Sequence, residues 1–177
     1  MTKRLLLALL TFGLPILGLG EKKKAKNPHS LYDLEYAKVD GISLKLDLLM
    51  PVKKTKERPE LVVFFHGGAW RAGSKKNCHV SWLTNFGYAV ASISYRLSGQ
   101  AEFPALVHDC KGAIRWLRAN AEKLGVNARL ICATGASAGG LLATLLATSG
   151  GVDALEGKVG GNLEQSSRVQ SAIGMFC

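Results

Sequence analysis

Several familiar signals are missing from this sequence. No Cys-x-x-Cys pair occurs among its four cysteines, and no His/Cys spacing of the zinc-binding kind, so the sequence offers no metal site. Gly-x-Gly-x-x-Gly and Gly-Lys-Ser/Thr are both absent, which removes the usual support for a dinucleotide or nucleotide-phosphate cradle. No aromatic–basic array accompanies the net charge of +10. That charge therefore reads as a solvated basic surface and not as a nucleic-acid face. There is no internal repeat. The four histidines, His29, His66, His79 and His108, all lie in the first 108 residues.

The 177 residues are 47% hydrophobic and 20% charged, enough apolar material for one domain with a real core and too much for a disordered chain. Residues 1–20 read as a secretory signal: Lys3 and Arg4, an apolar stretch from Leu5 to Leu19, then the small residues Gly18 and Gly20. The stretch is short for a membrane span and Pro15 interrupts it, so no stable span is expected after cleavage, and the chain is expected to be exported, periplasmic or secreted. An uncleaved anchor is the alternative. Residues 21–30 form a basic linker with Lys22, Lys23, Lys24 and Lys26, and residues 31–177 form the folded domain. For the cysteines of an exported chain three pairings are possible, and the sequence selects none; Cys132 reads as a buried core thiol.

Leu31–Lys38 and Ile42–Met50, separated by Val39-Asp40-Gly41, predict a hairpin with one wet face. Leu61–Phe65 is apolar on both faces and predicts a buried strand. Lys75–Phe86 predicts a helix closed by Gly87, with His79 packed beside Leu83 and Phe86, and Tyr88–Tyr95 a further strand. Phe103–Leu124 carries apolar residues at intervals of three and four, with Lys111, Arg115, Arg118 and His108 on the opposite, wet face and Gly125 as the stop. Asp109, inside this helix, reads as structural. Cys78 and Cys110 fall on predicted helices. Leu130–Ala133 is a strand and Leu141–Ala147 a helix. Gly150–Arg168 is a glycine-rich connection with one helical turn at Asp153–Glu156, and Val169–Phe176 a last strand. Strands alternating with helices after a hairpin give an α/β domain with a mostly parallel sheet.

Between the strand at 130–133 and the helix at 141–147 stands Thr134-Gly135-Ala136-Ser137-Ala138-Gly139-Gly140. Gly135-x-Ser137-x-Gly139 in a strand–turn–helix context has the spacing of a nucleophile elbow. The turn strains the serine backbone, side chains two residues either side would collide, and the following helix aims its N–H groups at the reacting centre. Acyl transfer also needs donors for the oxyanion. The Ala138 N–H follows the nucleophile. His66-Gly67-Gly68-Ala69, leaving the strand at 61–65, offers the N–H groups of Gly68 and Ala69.

These motifs, with Trp70, Tyr95-Arg96-Leu97 and the helix Asp109–Arg118, resemble the α/β-hydrolase superfamily. Within it, residues 31–176 are similar to hormone-sensitive-lipase-type carboxylesterases and to the bacterial feruloyl/acetyl-xylan esterase-like group. The resemblance implies an α/β-hydrolase fold, with an N-terminal antiparallel hairpin and a sheet reaching about the sixth strand. It implies serine-dependent hydrolysis of short carboxylic esters, acylated plant polysaccharides among them, without metal or organic cofactor. It also implies a substrate pocket lined by His66, Gly67 and Trp70. One departure matters: in that family an acid and then a histidine follow the nucleophile, and no histidine follows Ser137. The chain thus resembles the N-terminal part of the catalytic domain and is expected to be weak or inactive alone. Three readings stay open. The first is this esterase reading, with peptidase or amidase chemistry as a variant on the same fold. The second takes a base from another chain or from an unexpected histidine. The third is a non-catalytic binding protein, or gene fragment, on a hydrolase scaffold.

Overall fold

The computed structural model describes residues 27–53 and 56–176. The signal at 1–20 and linker residues 21–26 lie outside them. Residues 27–30 are tied down: the Asn27 side-chain amide donates to the Met50 and Pro51 carbonyls, and Ser30 Oγ accepts from Met50 N.

Six strands form one sheet, β1 (Leu31–Val39), β2 (Ile42–Leu49), β3 (Glu60–Phe65), β4 (Ala89–Ile93), β5 (Asn127–Ala136) and β6 (Ser171–Met175), in the order β1-β2-β4-β3-β5-β6. The hairpin β1–β2 turns at Asp40 and Gly41, both at positive φ (49° and 81°), the two-residue turn whose twist matches the flanking strands. β2 pairs antiparallel with β4; β4, β3, β5 and β6 run parallel. β3 shows the expected double burial: Leu61, Val63 and Phe65 point to one face, Val62 and Phe64 to the other, all at 7% exposure or less.

The first face carries most of the core, under α1 (Ala105–Ala119) and α3 (Ala138–Thr148). Leu106, Val107, Cys110, Ala113, Ile114 and Leu117 form the buried stripe of α1, each large apolar side chain contributing about 1.5–3 kcal/mol. The predicted helix begins at Ala105, after Pro104, and breaks at Asn120, leaving α2 (Ala121–Leu124) closed by Gly125 at φ 66°. α4 (Asp153–Glu156) falls where the sequence placed it.

The opposite side of α1 is not wet. Lys111 is fully buried and Arg115 is 3% exposed, because the Gly150–Arg168 connection lies on them. Lys111 Nζ donates to Ser149 O (2.7 Å) and Glu156 Oε1 (2.8 Å). Arg115 donates to the carbonyls of Glu156, Gly157 and Val159. Gly112 makes room: a Cβ there would stand 2.6 Å from Val159 O.

The second face is thinner. Where a helix over 75–86 was expected there are turns followed by a 3-10 segment, Ser81–Phe86, closed by Gly87 at φ 87°. The backbone of Lys75 is engaged with side chains in and just after β4, its N–H donating to Ser94 Oγ and its carbonyl accepting from Ser92 Oγ. Its ammonium lies 2.5 Å from Asp47 and 2.8 Å from Asp33. A residue so fixed to the sheet cannot start a helix there. Cys78 accordingly lies outside any helix, and His79, expected to be partly buried, is exposed and meets Phe64 edge-on. Cys132 is half-buried on this face, not a core thiol. Leu130 of β5 and Ile173 of the edge strand β6 stay 62% and 56% exposed. Cys78, Cys110 and Cys132 are unbridged; Cys177 lies outside the described residues. Among the described residues no helix is long and apolar enough to cross a membrane.

Candidate active site

β3 and β5 run parallel in register, Phe65 opposite Gly135, so the turns leaving their C-terminal ends lie side by side. Ser137 occupies the apex of the second turn at φ 52°, ψ −124°, a region an L-residue enters at a cost of about 1–3 kcal/mol. It is exposed, between buried Gly135 and buried Ala138. Its N–H donates to Met175 O of β6 (2.8 Å), and its carbonyl accepts from Leu141 N (3.1 Å), so the strained residue is held on both sides. The flanking glycines are sterically required. A Cβ on Gly135 would stand 2.6 Å from Phe65 O and collide with the Gly139 backbone; one on Gly139 would stand 2.7 Å from His66 O.

The turn after β3 abuts this elbow. A Cβ on Gly67 would lie 2.7 Å from Ala136 O and 3.5 Å from Ser137 Cβ. Gly68 has φ 123° and Ala69 and Trp70 follow at 51° and 59°. Gly68 O accepts from Arg71 N and Ala72 N, which ties the turn into a loop. The N–H groups of Gly68 and Ala69, both residues exposed, find no acceptor among the described residues. Ala138 is the first residue of α3, where an N–H has no partner within its helix.

A chain of contacts steadies that turn from behind. Asp109 on α1, buried, takes a two-pronged bond from Arg96 (Nε 2.9 Å, NH2 2.7 Å) and a third from Arg96 N, confirming its structural role. The neighbouring Tyr95 hydroxyl donates to His66 O at 2.7 Å; burial raises this phenol's pKa, so it keeps its proton. The Tyr95 ring stacks on His66 at 4.4 Å. Burial lowers the His66 pKa, leaving a neutral ring whose Nδ1–H donates to Gly67 O (2.8 Å). His66 Nε2 is buried without a partner among the described residues.

Beside the elbow opens a cavity of about 430 Å³ lined by Trp70, Ser98, Ala101, Glu102, Phe103, Leu106, Leu141, Leu142 and Leu145. Of the three residues assigned to the pocket from the sequence, Trp70 reaches it. His66 is buried behind the turn and Gly67 lies against the elbow, so neither lines it. The remaining lining was missed in the sequence. Leu141 and Leu145 at helical spacing after Ser137, with Phe103 and Leu106 at the start of α1, carry a signal only once α1 and α3 are known to be neighbours.

The other histidines are engaged elsewhere. His29 lies with Met50, Pro59 and Gly125, at the end of the sheet where β3 and β5 begin, opposite Ser137. His108 Nε2 is within 3.0 Å of Ala154 O, under the glycine-rich connection and not on a wet face. Asp153 and Glu164 are exposed on that connection, and Glu156 is engaged by Lys111.

The BD-FAE family model matches residues 46–177. Arylesterase from Saccharolobus solfataricus is 39% identical over 108 residues, covering 59% of this chain and 35% of that protein. Ethyl acetate hydrolase from Pseudomonas putida is 35% identical over 132 residues, covering 70% of this chain and 40% of that protein. The solved structure of a truncated form of a carbohydrate esterase from gut microbiota superposes with a TM-score of 0.77 at 29% identity, over 85% of this chain and 57% of that one. The chain thus spans 35–40% of the length of these two curated relatives.

Proposed function

This chain belongs to the BD-FAE family and has the α/β-hydrolase fold of the esterases it matches, and from that premise we propose that it carries the nucleophilic half of a carboxylic ester hydrolase. Ser137 Oγ attacks the ester carbonyl. The N–H groups of Gly68, Ala69 and Ala138 receive the oxyanion, each such donor lowering the barrier by about 2.7–4 kcal/mol. The alcohol departs, and water releases the acid from the acyl-enzyme. The histidine base and its orienting acid come from outside these 177 residues, since each histidine present is placed for another task. The substrate class is short or aromatic carboxylic esters, including acyl groups on plant polysaccharide, supported by the carbohydrate esterase likeness. Residues 1–20 direct export.

The observation that carries this reading is exposed Ser137 at φ 52°, ψ −124°, against the bare backbone of Gly67. Strain of that kind persists only where the surroundings enforce it. Without base and acid the remaining parts give roughly 10³–10⁴-fold over water.

The test is labelling by a fluorophosphonate, with intact mass read on the exported fraction to score loss of residues 1–20. We expect slow labelling of the native chain and none of Ser137→Ala. Equal labelling of both would refute the assignment of the nucleophile.

A further inference from the structure

We propose that Glu102 sets the charge preference of the cavity beside Ser137. That cavity then takes an apolar limb whose far end bears a hydroxyl or a positive charge, and rejects one ending in a carboxylate. This rests on reading the cavity as the place where the ester's carbon-rich part sits.

The cavity walls are apolar: Trp70 and Phe103 give aromatic surface, and Leu106, Leu141, Leu142 and Leu145 give the floor and side. Two lining side chains are polar, Ser98 and Glu102, and both are exposed. Glu102 forms no ion pair among the described residues. No lysine or arginine lines the cavity. An unpaired carboxylate beside a low-dielectric wall acts more strongly on a charge held against that wall than it would in open water. The ligand needs an apolar body to fill the cavity and a head that reaches its rim. An alkylammonium head meets Glu102 favourably, a hydroxyl donates to it, and a carboxylate is repelled. The chain's net charge of +10 pulls the other way, favouring anions at long range. The Trp70 and Phe103 rings also attract a cation, so the share due to Glu102 is the part of the preference that Glu102→Gln removes.

Glu102 also has a structural assignment. Its carbonyl accepts from Ala105 N where α1 begins, and an acidic side chain near a helix N-terminus is favourable in itself. That role changes thermal stability and leaves ligand choice untouched, so the two are separable.

The experiment is isothermal titration of the full 177-residue chain with phenylbutylamine, phenylbutanol and phenylbutyrate, three probes with one apolar body and different heads. At low salt we expect the amine to bind tightest and the carboxylate weakest, about tenfold apart, the combined effect of one exposed attraction and one exposed repulsion. The gap should narrow as salt screens it. Glu102→Gln should bring the three within about twofold, and Glu102→Lys should reverse the order. A ratio unchanged by Glu102→Gln, tightest binding of the carboxylate to the native chain, or no binding of any probe would each overturn the proposal. Circular dichroism checks that each variant is folded. If Ser137 labels but the ratio ignores Glu102, the charge preference falls and the esterase reading stands. If the ratio follows Glu102 but Ser137 never labels, the esterase reading falls instead.

Discussion

Glu156→Gln removes one negative charge from the connection that leads into β6, on the side that faces α1. Glu156 Oε1 lies 2.8 Å from Lys111 Nζ and accepts from Gly151 N at 2.9 Å; Oε2 accepts from Ser167 Oγ at 2.6 Å and lies 3.6 Å from Arg115 NH1. Burial raises this carboxyl's pKa, but the bonds from Lys111, Ser167 and Gly151 outweigh it and bring it down to about 2. Stripping a partner from a fully buried ion costs about 3–5 kcal/mol. Lys111 is fully buried, yet Glu156 is 28% exposed and Lys111 keeps Ser149 O, so about 2 kcal/mol is expected at pH 7. With a urea m-value of about 2 kcal/mol/M for a domain of this size, the unfolding midpoint moves down by about 1 M. The sign with pH follows from the lowered pKa. The carboxylate's contribution is complete above its unfolded pKa, near 4.5, and is lost as pH falls through about 2. Native and variant midpoints should therefore separate at pH 7 and converge near pH 2. A gap equal at both pH values, or below about 0.5 kcal/mol at pH 7, would refute this account, since surface changes already reach that size. Lys111→Met added to Glu156→Gln should recover most of the loss, because the buried charge is then gone too.

Two further outcomes can be checked with purified variants. Ser137→Gly should raise the melting temperature, because glycine adopts φ 52°, ψ −124° without the strain of about 1–3 kcal/mol that a Cβ brings; an unchanged or lower value would mean that the elbow is not strained. Asp109→Asn should cost about 3–5 kcal/mol in denaturant unfolding by leaving the buried Arg96 guanidinium without its carboxylate, and a loss under about 1 kcal/mol would remove Asp109 from the support of the turn.

The elbow was legible because its signal is local: a Gly-x-Ser-x-Gly spacing flanked by a strand and a helix of readable period. The backbone that bars side chains at Gly135 and Gly139 is in good part that of Phe65 and His66 on the neighbouring strand and turn. The hairpin was legible for the same reason, since Asp40-Gly41 fits a two-residue turn and Ile42, Leu44, Leu46 and Leu48 alternate. The failures share the opposite cause. Lys75 is held by Asp33, Asp47, Ser92 and Ser94, each distant from it in sequence, and its local apolar spacing cannot report that. Lys111 and Arg115 look solvent-facing by residue type. They are buried because a glycine-rich stretch some forty residues on folds over them and presents its carbonyls. The cavity depends on where α1 lies against α3, which neither helix's own sequence records.

The Met175 carbonyl that fixes the Ser137 amide belongs to β6, which pairs on one side with β5 and, among the described residues, with nothing on the other. The mounting of Ser137 thus sits at the rim of the sheet and not in its middle. Any chain that zips onto the free flank of β6 would stiffen that mounting, and any peeling of β6 would release it. The position of Ser137 is in this sense tethered to what happens one strand away.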